Sequence, residues 1–396
     1  MTTSTCPELI ALDDRQCVRM AEEHGTPCFV YRSEVASTQL RRLRAALPGR
    51  ARVAYAVKAN PHPTLLRTFA RAGTSFDCAS LGELDRLAQL AVPAERIFFA
   101  GPGKRDLEIA QAVERGVRIQ AEGLEDLIRI DAEASRLGLA EVAVNLRVQP
   151  LGVEEKEAIL GGSGPTAFGI DEEDLDGAMS RILQFPRVRV RGLHGFAASN
   201  ERDVGRLLAS HRRLFQIAHR LQLHWGLPLE QIDLGGGLGV TYSPHESPLD
   251  LETLGQGLAR LLEDNSWFEG ELILEPGRFL AAHCGVYLVR VIRTKTSRGE
   301  RFAVLEGGIH HLLRPALTGQ PFPVRSVGRA GAIHPTTLAG PLCTGLDRLG
   351  RVDLPQLSPG DLLAFGMVGA YGATEAMVHF LDHPPAKEVW VDSLTP

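Results

Sequence analysis

Short β-type runs alternate with helical stretches from about residue 50 to residue 276, and this alternation limits the possible folds. Eight runs occur: RVAYAVK to Lys58, TSFD to Asp77, RIFFAG to Gly101, VRIQAE to Glu122, EVAVNLRV to Val148, VRGLHGF to Phe196, IDLGGG to Gly237 and ELILEPG to Gly277. The segments between them repeat Leu, Ala and Val at i, i+3 and i+4, which predicts amphipathic helices. Eight βα units predict a (β/α)8 barrel of the TIM type, an α/β fold whose sites lie on the loops after the strands. A doubly wound open sheet is the alternative.

The pattern changes after Arg278. GVYLVRVIRTKTS, RFAVLEGG and DLLAFGMVGAYGA are β-rich and are separated by turn residues. They predict a C-terminal all-β domain, a sandwich or a barrel, which the TPCFVYR segment near residue 30 is expected to join. The expected domains are thus residues 33–275 for the barrel, and 1–32 with 276–396 for the β-domain. The GGSGPTAFG segment after the fifth run is the expected flexible loop.

Charge and cysteine content exclude several classes of function. Lys and Arg total 43 against 48 Asp and Glu, a net charge of −5 without a basic tract, so we expect neither nucleic acid nor a membrane as a partner. No run approaches the roughly 20 apolar residues of a membrane span, and no secretory signal is visible, so a cytoplasmic location is expected. The six cysteines form no CxxC pair, which argues against a disulfide framework or a zinc site.

Lys58 follows two alanines into the predicted barrel. In RVAYAVKAN the period of two places Ala54, Ala56 and Lys58 on one face, the small-residue face expected to point inward. Most lysines lie on the surface, which is the ordinary alternative for this one. A desolvated amine at the barrel mouth would instead have a lowered pKa, suited to covalent bonding with a carbonyl group.

Two later segments could complete such a site. DLGGGLG, residues 233–239, can present consecutive N–H groups to an anion, although a tight turn without a ligand is an equal alternative. EPGR, residues 275–278, places a carboxylate, a glycine and a guanidinium at the same end of the barrel, where a simple ion pair is the alternative. An amine nucleophile, a phosphate cradle and a carboxylate for a protonated ring nitrogen are the set that pyridoxal phosphate requires.

Seven motifs occur in the order found in one enzyme family: YAVKAN, FDCAS, GLHGFAAS, DLGGGLG, EPGR, GPLCT and GAYGA. From about residue 25 to 385 the chain resembles the fold-type III pyridoxal phosphate decarboxylases, the ornithine, diaminopimelate and arginine decarboxylase family. The resemblance implies an alanine racemase-like fold, a barrel with a C-terminal β-domain, and pyridoxal 5'-phosphate as the cofactor. It also implies a small amino-acid substrate and a homodimer with shared active sites.

The resemblance assigns three residues to catalysis. Lys58 matches the lysine that carries the cofactor, and Glu275 matches the acid that keeps the pyridine nitrogen protonated. Cys343 matches the cysteine that reaches across the dimer interface and returns a proton to the α-carbon after carbon dioxide has left. Further residues match positions that hold or order the cofactor: Asp77, Arg147, His194, Phe196, Ser199, Gly235, Gly236, Gly237, Gly277, Arg278 and Tyr371.

Departures from the family pattern bear on the substrate. Phe196 replaces the histidine that stacks on the cofactor in better-known members, and its ring can stack but cannot hydrogen-bond. Thr344 replaces the Asp or Glu that binds a distal ammonium, so a buried distal cation would be unpaired at substantial cost. Thr318 replaces a tyrosine of the diaminopimelate decarboxylases. Arg314 is retained and could meet a carboxylate or a phosphate, and Arg278 is also expected to bind the substrate.

These departures favour α-decarboxylation of an amino acid that lacks a free distal amine. GPGK, GGIHH, GPLCT and HFLDHP resemble a branch of secondary-metabolism decarboxylases. That branch includes the butirosin-pathway enzyme, whose glutamyl substrate is carried on an acyl carrier protein. A carrier-tethered substrate is therefore one expectation, and a free amino acid of the diaminopimelate or ornithine type is the alternative.

Three alternative interpretations remain: an amino-acid racemase, a non-catalytic regulatory protein and a metal site. An amino-acid racemase shares the fold type but lacks the cysteine segment around Cys343. A non-catalytic regulatory member would have lost the cofactor, whereas Lys58, Glu275 and Cys343 are all present. The neighbours His310 and His311 suggest a metal, but adjacent residues of a strand point to opposite faces, so no metal site is expected.

Overall fold

The computed structural model describes residues 9–151, 165–196 and 198–391. The chain divides into two compact units. The barrel unit comprises Arg41–Val240 and Pro248–Gly277, and the β unit comprises Met1–Leu40, Thr241–Ser247 and Arg278–Pro396, as far as these ranges are described. The domain bounds expected above stay a prediction, and residues 161–164 of the expected flexible loop lie outside the described residues. Within the described ranges, no helix is both long and apolar enough to cross a membrane.

The described residues form seventeen strands and eleven α-helices, numbered in chain order. The strands are β1 Cys28–Tyr31, β2 Ala51–Ala56, β3 Ser75–Cys78, β4 Ile97–Phe99, β5 Arg118–Ala121, β6 Val142–Gln149, β7 Ile170–Asp171, β8 Val188–His194, β9 Gln231–Asp233, β10 Glu271–Leu274, β11 Gly285–Ser297, β12 Glu300–Leu305, β13 Val324–Ser326, β14 Ile333–Ala339, β15 Arg348–Pro355, β16 Leu362–Phe365 and β17 Lys387–Trp390. The helices are α1 Asp14–His24, α2 Ser33–Ala46, α3 Pro63–Arg71, α4 Leu81–Gln89, α5 Asp106–Arg115, α6 Leu124–Arg136, α7 Leu175–Ile182, α8 Val204–Trp225, α9 Leu251–Asp264, α10 Arg278–Ala281 and α11 Arg314–Thr318.

Eight parallel strands of the barrel unit form a closed barrel. Their order is β2, β3, β4, β5, β6, β8, β9 and β10, and β10 pairs back with β2, where Leu272 lies opposite Ala51. β3 and β4 consist of buried residues only, as expected for parallel strands covered on both faces. The predicted barrel is confirmed. The open doubly wound sheet is wrong, because such a sheet would leave two unpaired edges.

Six of the eight barrel strands end earlier than the sequence pattern indicates, whereas β3 and β6 each end one residue later. β2 ends at Ala56, and Lys58 lies in the 3-10 turn Val57–Ala59 that follows it. β9 ends at Asp233 and β10 ends at Leu274, so the glycine segment and residues 275–277 of EPGR are loops, and Arg278 begins α10. A 3-10 turn and a run of glycines both interrupt the extended backbone from which longer strands were inferred. The functional motifs therefore lie just beyond the carboxyl ends of the strands, where barrel sites are built.

Side-chain caps set the starts of several barrel helices. The Ser80 hydroxyl accepts from the Glu83 amide at the start of α4, and the carboxylates of Asp203 and Asp250 cap α8 and α9 in the same way. Each cap satisfies an N–H group that has no partner within its helix. α8, with 22 residues, ends where Gly226 adopts a left-handed conformation that glycine accepts without strain.

His211 on α8 should make the barrel sensitive to acid. Burial lowers the pKa of this histidine from 6.5 to about 4. Between these pH values the unfolded chain takes up the proton and the folded chain does not, so stability is complete above about pH 6.5 and falls as the pH drops. The loss should reach about 3 kcal/mol near pH 4. In urea unfolding, the free energy of unfolding of the His211→Leu variant should fall between pH 6.5 and pH 4 by this amount less than that of the wild type. Parallel pH profiles for variant and wild type would show that His211 does not cause the acid sensitivity.

The β unit contains a mostly antiparallel sheet with eight described strands. β11, its longest strand, pairs with β1, β12 and β16. β1 lies between β11, to which it is antiparallel, and β17, to which it is parallel. Every residue of β1 is buried, and Val30 packs in one core cluster with Val286 and Leu288. The predicted all-β domain is confirmed.

Candidate active site

Lys58 lies beside a buried carboxylate at the barrel mouth. Its Nζ atom is 3.0 Å from Oδ2 of Asp77, a residue of β3. Burial raises the pKa of Asp77, the charge of Glu275 raises it further, and the Lys58 ammonium opposes both effects. The Lys58 side chain is 40% exposed in the chain alone, and a lowered pKa of its amine stays a prediction. The 3-10 turn carries this side chain past the end of the strand, and Asp77 orients its amine.

Four buried side chains form a network at the ends of the barrel strands. Gln120 of β5 donates from Nε2 to Oδ2 of Asp233 at 2.9 Å and to Oε1 of Glu275 at 3.0 Å. His194, the last residue of β8, places Nε2 3.4 Å from Oε2 of Glu275. The network therefore joins β5, β8, β9 and the loop after β10.

The two carboxyl groups of this network titrate far apart. Burial raises the pKa of Asp233 well above its ordinary value, and the charge of Glu275 adds to the rise. Burial alone would also raise the pKa of Glu275, but the charges of His194 and Lys58 lower that pKa to about 2. At neutral pH Asp233 is therefore protonated and Glu275 is ionised, because two adjacent buried carboxylates would repel each other.

His194, Asp233 and Glu275 bring possible ligand atoms within 4.8 Å of one another. Because the pKa of Asp233 is raised, a metal would have to displace a proton from this carboxyl group in order to bind. The Gln120 amide also donates to both carboxyl groups and so occupies oxygens that a metal would use. The Gln120 contacts therefore favour an N–H donor over a divalent metal as the further partner of Glu275, and the expected absence of a metal stays a prediction.

Backbone contacts explain the glycines after β9. Cβ atoms on Gly235 and Gly237 would lie 2.4 Å and 2.1 Å from carbonyl oxygens of the loop after β8. A Cβ atom on Gly236 would lie 2.7 Å from the carbonyl oxygen of Glu275. Gly235 and Gly237 also have positive φ angles of +69° and +94°, which side chains disfavour. The loop thus presents backbone alone, as a phosphate cradle requires.

Three expected cofactor residues border this glycine loop or the Lys58 turn. The ring of Phe196 packs 3.5 Å from where a Cβ atom of Gly236 would lie. Ser199 belongs to a segment that runs along the loop, since the amide of Glu201 donates to a loop carbonyl at 2.8 Å. A Cβ atom on Gly277 would lie 2.9 Å from an alanine side chain next to Lys58. The barrel unit therefore brings Lys58, the glycine loop and the EPGR loop together.

Arg147, at the end of β6, is oriented by two contacts. Its Nη1 atom is 3.2 Å from Oε1 of Glu122, and its guanidinium lies 4.3 Å from the centre of the Phe168 ring. Glu122 also accepts from the amides of Gly101 and Gly169 at 3.1 Å and 2.7 Å. One buried carboxylate therefore fixes the arginine and two neighbouring loops.

In the β unit, two buried arginines lie against the ring of Tyr371. Cζ of Arg278 is 4.6 Å, and Cζ of Arg314 is 5.8 Å, from the ring centre. Arg278 donates from Nη1 to the Tyr242 hydroxyl at 2.7 Å. Arg314 donates from Nη1 to Oε2 of Glu375 at 3.4 Å. The guanidiniums form one cationic group with a single carboxylate at its side.

Cys343 is exposed, whereas the other four described cysteines are buried. Its loop is held by the buried Asp347, whose carboxylate accepts from the amides of Leu342 at 2.7 Å and Ile309 at 2.8 Å. The GGIHH and GPLCT segments are therefore tied together by one side chain.

The two threonines expected at the substrate use their hydroxyls locally. Thr318 donates to the carbonyl oxygen of Arg314 at 2.9 Å, within α11. The Thr344 hydroxyl accepts from the amide of Leu346 at 3.2 Å. Both residues stabilise their own turns, and neither adds a charge.

His310 and His311 lie in a turn before α11, not in a strand. Their ring centres are 3.9 Å apart, so the expectation of opposite faces is wrong, because a turn does not alternate its side chains. His311 shares a hydrogen bond of 2.8 Å with the hydroxyl of Tyr287, and burial lowers the pKa of His310 to about 4. The absence of a metal here stays a prediction.

Several residues of these networks were not singled out from the sequence: Gln120, Glu122, Asp233, Tyr242, Asp347 and Glu375. Glu83, whose carboxylate accepts from the Ala79 amide at 2.7 Å, was not singled out either. Asp233 and Glu122 carried a signal, since each is a polar residue close to the end of a β-type run. Glu83, whose burial raises its pKa to about 7, stands close after the FDCAS motif. Nothing local marks Glu375, whose partner Arg314 lies 61 residues away, and the contact of Asp347 with Ile309 spans 38 residues although Leu342 is only five residues away.

Comparisons with known proteins cover nearly the whole chain. A family model described as "Pyridoxal-dependent decarboxylase, pyridoxal binding domain" matches residues 33–282. A diaminopimelate decarboxylase of Zymomonas mobilis is 33% identical over 390 residues, which cover 96% of this chain and 91% of the relative. The L-glutamyl-[BtrI acyl-carrier protein] decarboxylase of Niallia circulans is 31% identical over 393 residues, with the same 96% and 91% covered. A crystal structure of diaminopimelate decarboxylase from M. jannaschii with L-lysine is similar at a TM-score of 0.89 and 27% identity, covering 95% of this chain and 89% of that one.

Three observations agree on the family. The family model spans more than half of the chain, and both named relatives exceed 30% identity over almost all of it. The barrel also brings together a lysine, an ionised carboxylate and a glycine loop, which is what the cofactor of this family needs. The chain belongs to the pyridoxal-dependent decarboxylases of fold type III, and it is an amino-acid decarboxylase with pyridoxal 5'-phosphate as its cofactor.

Proposed function

We propose that the protein α-decarboxylates an amino acid that has no free distal amine. The observation that carries the proposal is Thr344, which stands where an acidic counter-ion for a distal ammonium is expected. Glu375, a carboxylate of the same unit, is already paired with Arg314. Of these two residues of the described chain, neither would therefore offer an unpaired carboxylate to a distal ammonium, which would lose its hydration on binding.

The residues of the barrel unit fit pyridoxal phosphate. When bound, this cofactor withdraws electrons from the substrate's α-carbon, so that the bond to the carboxylate can break. Lys58 offers the amine for covalent attachment, Glu275 offers an ionised carboxylate for the ring nitrogen, and the glycine loop offers backbone N–H groups for the phosphate. Among the described residues, Nδ1 of His194 and Oδ1 of Asp77 are buried without a hydrogen-bond partner, and both are available to a bound ligand.

Other residues complete the proposed cofactor site. Phe196 would stack on the ring, since its side chain packs against the glycine loop. Arg147, already oriented by Glu122, would order the polar edge of the cofactor. The remaining phosphate ligands are proposed to be Ser199, Gly235, Gly236, Gly237, Gly277, Arg278 and Tyr371.

Two of the proposed roles follow from the pKa shifts of the buried carboxyl groups of Asp77 and Glu275. Asp77, whose pKa burial raises, holds the Lys58 amine and can take the proton that this amine must lose to act as a nucleophile. Glu275 stays ionised throughout the neutral pH range and so keeps a protonated ring nitrogen paired. The Cys343 thiol then returns a proton to the substrate's α-carbon.

A homodimer in which Cys343 serves the partner's site is part of the proposal. Leu346, near Cys343, is 69% exposed. Further exposed apolar residues are Met377, Val378, Phe380 and Leu381. They lie near the loop of Cys343, which Asp347 holds. The Met377 amide donates to the carbonyl oxygen of Ile309, and the Ile309 amide donates to the Asp347 carboxylate. Exposed apolar side chains so grouped are typical of a protein interface.

Release of carbon dioxide tests the reaction. A labelled α-carboxylate should be recovered as carbon dioxide from free amino acids without a distal amine or from the same amino acids loaded on a carrier protein. The relative from Niallia circulans is named for a carrier-bound substrate, and that from Zymomonas mobilis is named for diaminopimelate, so all three substrate classes belong in the assay. Retention of the label with inversion of the amino acid would identify a racemase instead.

The Thr344→Asp variant tests the substrate argument. A carboxylate at this position should raise the affinity for ornithine or diaminopimelate by about tenfold or more, because it supplies the missing counter-ion. Competition assays of carbon dioxide release give this affinity. Thr344→Asn, similar in size and uncharged, is the matched control and should leave the affinity unchanged. Equal affinities in both variants would count against the argument.

A further inference from the structure

Glu375 and Arg314 form a pair that bears on the choice of substrate. Arg314 is only 8% exposed, and its Nη1 atom donates to Oε2 of Glu375 at 3.4 Å. We propose that Glu375 masks Arg314, so that the substrate's distal group is a neutral carbonyl derivative, an amide or an ester, and not a free carboxylate. The inference rests on the proposed function, in which Arg314 meets the substrate.

The charges around Tyr371 support the masking. Arg278 and Arg314 bring two positive charges to this ring, and Glu375 brings one negative charge. A substrate carboxylate at Arg314 would lie beside Glu375, and two carboxylates that share one buried guanidinium repel each other. A neutral carbonyl oxygen can accept from the same guanidinium without that repulsion.

Glu375 also acts on the second arginine. Burial alone would lower the pKa of Arg278, but Tyr242, Tyr371 and the charge of Glu375 together raise it. One carboxylate therefore stabilises both guanidiniums. In the cofactor-loaded protein Arg278 is proposed to bind the phosphate. Removing the charge of Glu375 would therefore leave Arg314 as the buried cation in need of an anion, which a ligand carboxylate could supply.

A pair of achiral ligands separates the charge of the distal group from its shape. 4-Aminobutyrate and 4-aminobutanamide have the same length, differ in a carboxylate against a carboxamide, and carry no α-carboxylate that could be lost. Calorimetry with the cofactor-loaded protein should show tighter binding of the amide by the wild type. In Glu375→Gln the affinity for 4-aminobutyrate should rise about 10- to 100-fold, while that for the amide stays nearly constant.

Three further variants identify the cause. Asp382→Asn removes one negative charge from an exposed position of the same segment and should leave both affinities unchanged. Glu375→Asp keeps the charge and should keep the preference for the amide. Arg314→Met added to Glu375→Gln should abolish the rise in affinity for 4-aminobutyrate, because that rise requires the unmasked Arg314 guanidinium. Melting temperatures measured in parallel show that each variant is folded.

The outcomes are decisive in both directions. The inference is overturned if the wild type binds both ligands equally, if Glu375→Gln leaves the ratio unchanged, or if that variant fails to bind 4-aminobutyrate at all. A purely structural ion pair would lower the melting temperature of Glu375→Gln without changing the ratio. Absence of carbon dioxide release from every amino acid would instead refute the proposed function, since ligand binding is measured without turnover.

Discussion

Replacing Lys58 with alanine should lower the rate of carbon dioxide release by about 10⁴-fold or more, and should abolish covalent attachment of the cofactor. The Lys58 amine is held 3.0 Å from Asp77 at the barrel mouth. Lys104 cannot replace it, because its buried amine already donates to two backbone carbonyls and to Asp126. Carbon dioxide assays and the visible absorbance that survives gel filtration measure the two effects.

Lys58→Arg is the matched variant. Arginine keeps the positive charge beside Asp77 but does not bond covalently to the carbonyl group of the cofactor. It should therefore retain the melting temperature of the wild type and be as inactive as the alanine variant. Undiminished turnover in either variant would refute the assignment of Lys58.

Replacing Glu275 with glutamine should lower the rate by about 100- to 1,000-fold with little change in fold. The ionised carboxylate is the negative charge that keeps a pyridine nitrogen protonated, and glutamine has the same shape without the charge. Its pKa of about 2 means that this charge is present throughout the neutral range. The rate constant for carbon dioxide release at saturating cofactor is the measurement.

Asp233→Asn provides the contrast within the same network. The pKa of Asp233 is raised well above its ordinary value, so its side chain is already uncharged, and an amide should reduce the rate by no more than about tenfold. Both variants keep side chains of similar size near Gln120 and His194. A larger loss in Asp233→Asn than in Glu275→Gln would mean that the proton sits on the other carboxyl group.

The barrel could be predicted from the sequence because each of its strands is one contiguous run of residues with a recognisable local pattern. β2, for example, is a continuous β-type run with helical periods on either side. Strand ends could not be placed, since the turn at Val57–Ala59 and the glycines after Asp233 have backbone geometry that a period of two does not report. Pairing in the β unit was also beyond local patterns, because Tyr31 lies opposite Trp390.

The candidate site also has a part that the sequence predicts and a part that depends on the folded structure. Lys58, Glu275 and the glycine loop stand in contiguous motifs, so the amino-acid sequence alone is enough to identify them. The exposure of the Lys58 side chain and the opposite pKa shifts of Asp233 and Glu275 could not be predicted, because burial and charge arise from residues brought together by closure of the barrel. The same holds for Glu375, which acquires a role only through its contact with Arg314.

The position of β1 has a consequence for synthesis on the ribosome. Residues Cys28–Tyr31 emerge early, but their partners on either side are Gly285–Leu288 and Lys387–Trp390. The barrel strands between them, which end at Leu274, can all be translated before the last of these partners. Domains generally fold as units during translation, so the nascent chain must carry an apolar, unpaired strand while the barrel forms. Completion of the β sheet is therefore a late event that requires both ends of the described chain.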